Sequence, residues 1–264
     1  MSQSWAEVRD ELHRRRDILV HRSYDTSFQM EPSERERIQL DLERWKSPPR
    51  CTDIPNLMKQ FCVSAYSYAP IRNNLLSPLA EGLPTRQNIA LALSRVFDDQ
   101  QEFLDDAFWS PDLLGDLAAE IQERYKFNQS SRQFRPRILA VLLTGSRKLE
   151  EALRDGLDGF YEMVGHAKTP SAMWSLVNNF SKGIDYVGPA LVCDFFKEIG
   201  FVQYVKVDHH FAAQFPELIK WKGGCRLSPR QSFILSQEIA DAVGMTPFHL
   251  DAILYLWGRY GDRS

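Results

Sequence analysis

The sequence predicts an all-α protein, and three observations carry that prediction. Apolar residues recur at helical spacing in segment after segment. Those segments open on Ser, Thr or Pro and close on Gly, as helix ends do. The single β-like run, Phe201 to Val207, is too short to make a sheet by itself. At this spacing the chain has room for about ten or more helices.

Taken in order, Trp5, Val8, Leu12, Ile18 and Leu19 form the apolar stripe of a first helix, with Arg14, Arg15 and Arg16 expected on the opposite face. That run of arginines reads either as a solvated face or as a surface that reaches phosphates. A second helix follows Pro32-Ser33 and carries Ile38, Leu42 and Trp45, and Ser47-Pro48-Pro49 ends the region. Leu57, Phe61, Val63 and Tyr66 mark the next helix, up to the break at Ala69-Pro70. Leu75 to Phe97 reads as helix, turn, helix, with Gly82 and Pro84 as breakers.

Ser110-Pro111 caps a helix whose acidic first turn suits the positive end of its dipole. Phe127 to Arg137 is a polar, basic linker, and a helix from Ile138 is expected to end at Gly145. Leu149, Leu153, Phe160, Met163 and Val164 continue the helical pattern to Gly165. Thr169-Pro170 then opens a helix with Met173, Leu176, Val177 and Phe180 inward, and Pro189 opens another with Leu191, Val192, Phe195, Phe196 and Ile199 inward, stopped by Gly200. After Asp208 a helix bearing Phe211 and Phe215 is expected to break at Pro216. Leu227-Ser228-Pro229 starts one with Ile234, Leu235 and Ile239, ended by Gly244. Met245 to Tyr260 is the last, with Leu250, Ile253, Leu254 and Trp257.

A chain of 264 residues with 44% hydrophobic content can bury a sizeable core, as one large domain or two small ones. It has no run of eighteen apolar residues and no signal-peptide core, so a soluble, intracellular protein without a membrane span is expected. Cys51, Cys62, Cys193 and Cys225 lie far apart with no CxxC pair, which predicts reduced thiols and argues against zinc ribbons and four-cysteine iron-sulfur loops. Net charge is only −3, yet the charges segregate: Val96 to Glu123 holds nine acidic residues and no Lys or Arg, and Arg124 to Lys148 seven basic residues and no acid. Lys220, Lys222, Arg226 and Arg230 form a second acid-free stretch. Such segregation fits a phosphate-facing side, and equally a solvated face balanced by its acidic neighbour. No GxGxxG, Walker A, HExxH or GxSxG motif is present, so nucleotide-dependent, zinc-protease and serine-hydrolase chemistries have no support.

The stretch with chemistry is Lys182 to Phe211: a helix, a tight turn at Val187-Gly188, a helix opened by Pro189, and an extended run ending on Asp208-His209-His210. At these residues the chain resembles the helix-hairpin-helix DNA glycosylase superfamily. Its hairpin is written Gly, apolar, Gly, three variable residues and a small one, followed about twenty residues later by Asp, often with His two places on. Val187-Gly188 matches the second half of that turn, and Asp208 stands twenty residues after Gly188. Tyr186 replaces the first hairpin Gly, and Val192 the small residue.

The resemblance implies a two-lobed helix-hairpin-helix glycosylase architecture: residues 1–89 packing with 209–264 as one lobe, and 90–208 as a helical barrel that contains the hairpin. It implies double-stranded DNA as partner, with one base extruded, and backbone donors around Val187 and Gly188 facing a phosphate, of which Gly188, Ala190 and Leu191 are the useful ones because Pro189 has no donor to offer. Tyr186 would stack or hydrogen-bond near the DNA, or is a partly buried core tyrosine. His210 matches the family His and would line the pocket or touch a phosphate. Leu83, in the loop Ala80 to Thr85, is a candidate wedge into the base stack, or belongs to an ordinary interhelical loop. Asp208 would be the catalytic carboxylate that stabilises an oxocarbenium-like sugar and orients water; an Asp before a helix is also a common N-cap, and the two roles are compatible.

Bifunctional relatives place a Lys eighteen or nineteen residues before the Asp, where this chain has Ala190 or Pro189, and neither is a nucleophile. Lys182, Lys197 and Lys206 stand at other offsets and read as surface residues. The expectation is therefore a monofunctional enzyme without cofactor, monomeric and cytoplasmic with access to DNA. His209 and His210 lack a third ligand at a diagnostic spacing, so no metal is expected. Tyr66, Tyr68, Trp109, Trp174 and Trp257 are base-stacking candidates or core residues. The competing readings are a non-catalytic helix-hairpin-helix DNA-binding protein and an all-α interaction protein unrelated to DNA.

Overall fold

The computed structural model describes residues 4–30, 32–43, 47–65, 141, 144, 145, 147–221 and 226–261, and every regular element among them is helical. In chain order these are α1 (Trp5–Tyr24), α2 (Pro32–Arg37) running on into a π-helical stretch (Ile38–Glu43), α3 (Ile54–Ala65), α4 (Gly156–Gly165), α5 (Pro170–Ser181), α6 (Pro189–Glu198), α7 (His209–Leu218), α8 (Pro229–Val243) and α9 (Pro247–Tyr260). The run 201–207 is extended, with no strand assigned. No helix among the described residues is long and apolar enough to cross a membrane. The chain divides into two compact units, Met1–Pro49 with Thr169–Trp174 and Gly200–Ser264, and Arg50–Lys168 with Ser175–Ile199. The expected lobe boundary at residue 89 lies outside the described residues.

In the first unit α1 starts with a capping box in which Ser4 and Glu7 satisfy each other's backbone amides. Its buried positions are Val8, Leu12, Arg15, Leu19 and Ser23. Arg15 is a correction: expected opposite the stripe, it lies on it, 3% exposed. The spacing Val8, Leu12, Arg15, Leu19 is that of one helical face, and the planar guanidinium is accommodated because it lies 5.1 Å from the Trp257 ring centroid with its Nε 2.8 Å from Glu11. The far end of α1 is closed by Arg35, which donates to the carbonyls of Ser23 (2.9 Å), Asp25 (2.8 Å) and Phe28.

α7 runs through Pro216 to Leu218, where a break was expected. A single proline near a helix end removes one hydrogen bond, and Phe211, Phe215 and Leu218, all buried, hold the last turn. α8 has a second capping box, Ser228 with Gln231, and ends on Gly244 at φ 74. Its core face is Phe233, Ile239 and Val243, while the expected Ile234 and Leu235 are only half-buried.

The second unit is centred on phenylalanines. Phe61 of α3 meets Phe195 of α6 at 5.4 Å, Phe180 meets Phe196 at 5.3 Å, and Phe160 lies 6.2 Å from Phe195. Gly145 does not end a helix as expected, since 147–152 are also helical. A Cβ there would stand 2.3 Å from the Phe61 ring, so glycine permits that approach. Tyr161 accepts from the Cys51 amide (2.8 Å) and donates to the Ile199 carbonyl (3.2 Å), and burial pushes its phenol up to about 12. α6 is buried at every position from Leu191 to Lys197. Lys197 is therefore not a surface residue: it is 5% exposed with its Nζ 3.3 Å from Asp194, one turn earlier. A cation enters such a helix only beside an anion, because desolvation would otherwise outweigh its helix propensity.

Candidate nucleic-acid interface

The turn between α5 and α6 belongs to the second unit, as does α5 from Ser175 onward. α5 opens with the Thr169 hydroxyl accepting the Ala172 amide (3.2 Å) and ends at Ser181. Ile184 and Val187 are buried and pin the turn from inside, with the Val187 amide on the Ile184 carbonyl (3.4 Å) and the Asp185 amide on the Thr144 hydroxyl (2.9 Å). Between them Tyr186 is 59% exposed and adopts φ 60, the left-handed region that favours glycine. The turn thus takes, with a tyrosine, a backbone for which glycine is the usual residue.

Gly188 follows as the N-cap of α6, at φ −88 and ψ 175, which any residue adopts. A Cβ built there would meet nothing within 4 Å. Neither backbone strain nor packing within the described residues calls for a glycine. The amides of Gly188 and Ala190 have no acceptor among the described residues, and Pro189 has no donor. Val187 and Leu191 do not belong with that donor pair, because their amides already donate to the Ile184 carbonyl (3.4 Å) and the Gly188 carbonyl (3.0 Å). Two open amides at the positive end of a ten-residue helix form an anion-binding arrangement.

Asp208 belongs to the first unit and is the N-cap of α7. Its Oδ1 accepts both the His210 amide (2.9 Å) and the Phe211 amide (3.1 Å). Its Oδ2 accepts from no donor among the described residues, and the side chain is half-buried. One oxygen orients the carboxylate and the other is left to accept a further donor. His210 is half-buried, packed edge-on to Tyr255 with ring centroids 5.5 Å apart. The Tyr255 hydroxyl accepts from Arg259, which also pairs with Glu34 at 2.6 Å. His209 is exposed with its ring 3.9 Å from that of His210. No group of three His, Cys, Asp or Glu among the described residues could hold a metal ion.

The other candidates divide. Trp174 packs against Phe233 at 5.4 Å and Trp257 carries the Arg15 guanidinium, both within the first unit's core. Leu83 and its loop, Tyr66, Tyr68, Trp109 and most of the basic stretch Arg124 to Lys148 lie outside the described residues. Sequence reasoning missed the residues that fasten the approach to Asp208. Gln237 of α8 donates to the Gln203 carbonyl (2.8 Å), and Asp251 of α9 accepts the Lys206 amide (3.3 Å). A polar residue inside an apolar stripe, as Asp251 is between Leu250 and Ala252, was the available signal.

Among the described residues the protein is helical, with a tight turn between α5 and α6 and, twenty residues after Gly188, a helix-capping aspartate. Comparison with protein families, characterised proteins and solved structures found no match.

Proposed function

We propose that the protein is a monofunctional DNA glycosylase with the two-lobed helix-hairpin-helix architecture, hydrolysing the bond between sugar and a modified or mispaired base extruded from double-stranded DNA. The observation that carries this is Gly188: a glycine in ordinary backbone, open where a Cβ would be, beside two amides with no acceptor. Glycine at such a place serves an approach from outside, and the group that two N–H donors at a helix start accept best is a phosphate. Such contacts position the duplex and do not read its sequence.

Chemistry falls to Asp208. As the base departs with its bonding electron pair, the sugar develops positive charge, which an adjacent carboxylate stabilises. The free Oδ2 accepts a proton from the attacking water while oxygen adds to the sugar carbon; the departing base takes up a proton, and an abasic site remains. No cofactor enters these steps. With Pro189 and Ala190 where relatives have Lys, there is no amine at that offset to form a Schiff base. A monomer acting in the cytoplasm on accessible DNA completes the reading.

A non-catalytic DNA-binding protein is the second reading, favoured by the fact that both hydrogen bonds to Asp208 are those of an ordinary N-cap. Asp208→Asn separates the two, because Asn caps as well as Asp and lacks the charge. The glycosylase reading expects folding and DNA affinity to be kept and base release to fall by about a hundredfold or more. Release at the wild-type rate contradicts it.

A further inference from the structure

We infer that Asp251 is a positioning residue for Asp208, acting through the extended run 201–207; the inference rests on the glycosylase reading for its catalytic consequence. The run has no strand partner, so its backbone is fixed by anchors from α8 and α9. Phe248 donates its amide to the Val202 carbonyl (2.9 Å), Gln237 its side-chain amide to the Gln203 carbonyl (2.8 Å), and Asp251 accepts the Lys206 amide (3.3 Å). The last is the nearest to the reacting group, since the Asp208 amide bonds directly to the Lys206 carbonyl (2.8 Å).

Asp251 is 3% exposed, at a mid-helix position flanked by buried Leu250 and Ala252. A carboxylate there carries a desolvation cost that a neutral side chain would avoid. In return it supplies the acceptor that holds the Lys206 amide, at 3.3 Å. On the far side Asp208 caps α7. Its backbone is thus held from both directions: by α9 through Asp251 and Lys206, and by the first turn of α7. An arrangement that fixes a carboxylate's approach so closely is what hydrolysis demands, because a displacement of about 1 Å can cost two orders of magnitude in rate.

The test compares wild type with Asp251→Leu, close in shape but without an acceptor, and Asp251→Asn, which keeps one. Amide hydrogen exchange of the peptide spanning 203–208, single-turnover base release and DNA affinity are measured on the full chain. For Asp251→Leu the expectation is exchange faster by about tenfold, release slower by about tenfold or more, and affinity within about twofold. Asp251→Asn should stay near wild type in all three. Release by Asp251→Leu at the wild-type rate overturns the inference, and so does Asp251→Asn as slow as Asp251→Leu. Should Asp251→Leu not fold, Gln237→Leu, at a half-buried site of α8 that anchors the same run at Gln203, takes its place: faster exchange with slower release supports the inference, and faster exchange with unchanged release overturns it. A wild type that releases no base from any DNA removes the glycosylase reading itself, a result distinct from a releasing wild type matched by Asp251→Leu.

Discussion

Tyr186 and Gly188 have exchanged the conformations their residue types would suggest. The tyrosine sits at φ 60, where glycine is at ease, and the glycine sits at φ −88, where any residue fits. The left-handed turn is therefore preserved at a steric cost, and the glycine's lack of a side chain is free for another use.

The cost at Tyr186 is measurable. A residue with Cβ in the left-handed region is strained by about 1–2 kcal/mol, and glycine returns about 0.4–1 kcal/mol of that by loosening the unfolded chain. Tyr186→Gly should therefore stabilise the protein by roughly 0.5–1 kcal/mol, read by denaturant unfolding. A loss of stability would mean that the exposed ring makes contacts worth more than the strain.

Gly188 separates folding from binding. Asp is a better N-cap than glycine, suits the positive helix end, and has room at this site, since nothing lies within 4 Å of the new Cβ. Gly188→Asp should keep or raise stability by a few tenths of a kcal/mol while DNA affinity falls by about tenfold or more, because a carboxylate stands where a phosphate would approach. Titration of a fluorescent duplex at fixed salt checks this, and unchanged affinity would remove the hairpin from the interface.

Glu11 sets an acid limit on the first unit. Hydrogen bonds from Arg14 (2.7 and 2.9 Å) foremost, and from Arg15 (2.8 Å), outweigh burial and hold its carboxyl at about 2, against 4.5 ordinarily. The folded value lies below the unfolded one, so the stabilisation is present above pH 4.5 and is lost as pH falls toward about 2. Glu11→Gln should be less stable at pH 7 by about 1 kcal/mol or less, given solvent screening, with the gap closing below pH 4.5. Unfolding curves across pH 2–7 check the sign, and a gap that widens in acid would refute it.

Helix ends were legible in the sequence because their chemistry is local. Thr169, Ser228 and Asp208 cap through side chains to amides two or three residues away, and Gly244 stops α8 by its own backbone. Buried charge was not legible. Arg15 faces inward because Trp257, far along the chain, offers it a ring, and Lys197 because α6 is enclosed on all sides. Neither Trp257 nor the enclosure of α6 shows in a local window, although Asp194 stands one turn before Lys197. At the candidate site the hairpin and Asp208 could be found by spacing, whereas Asp251 and Gln237 act on the backbone of Lys206 and Gln203 and leave no spacing of their own.

The absence of a lysine eighteen or nineteen residues before Asp208 bears on product as well as mechanism. Incubation with substrate DNA and borohydride should trap no covalent protein-DNA adduct, and released product should carry intact strands until alkali is added. A trapped adduct would show that another amine attacks the sugar.

The central claim is most directly tested by mass spectrometry of free bases released from a panel of cellular, alkylated, oxidised and viral DNAs, with wild type beside Asp208→Asn. A base released by wild type and not by Asp208→Asn is the predicted result, and it names the substrate at the same time. No release from any DNA, with binding retained, would contradict the claim and leave a protein that holds DNA without removing a base from it.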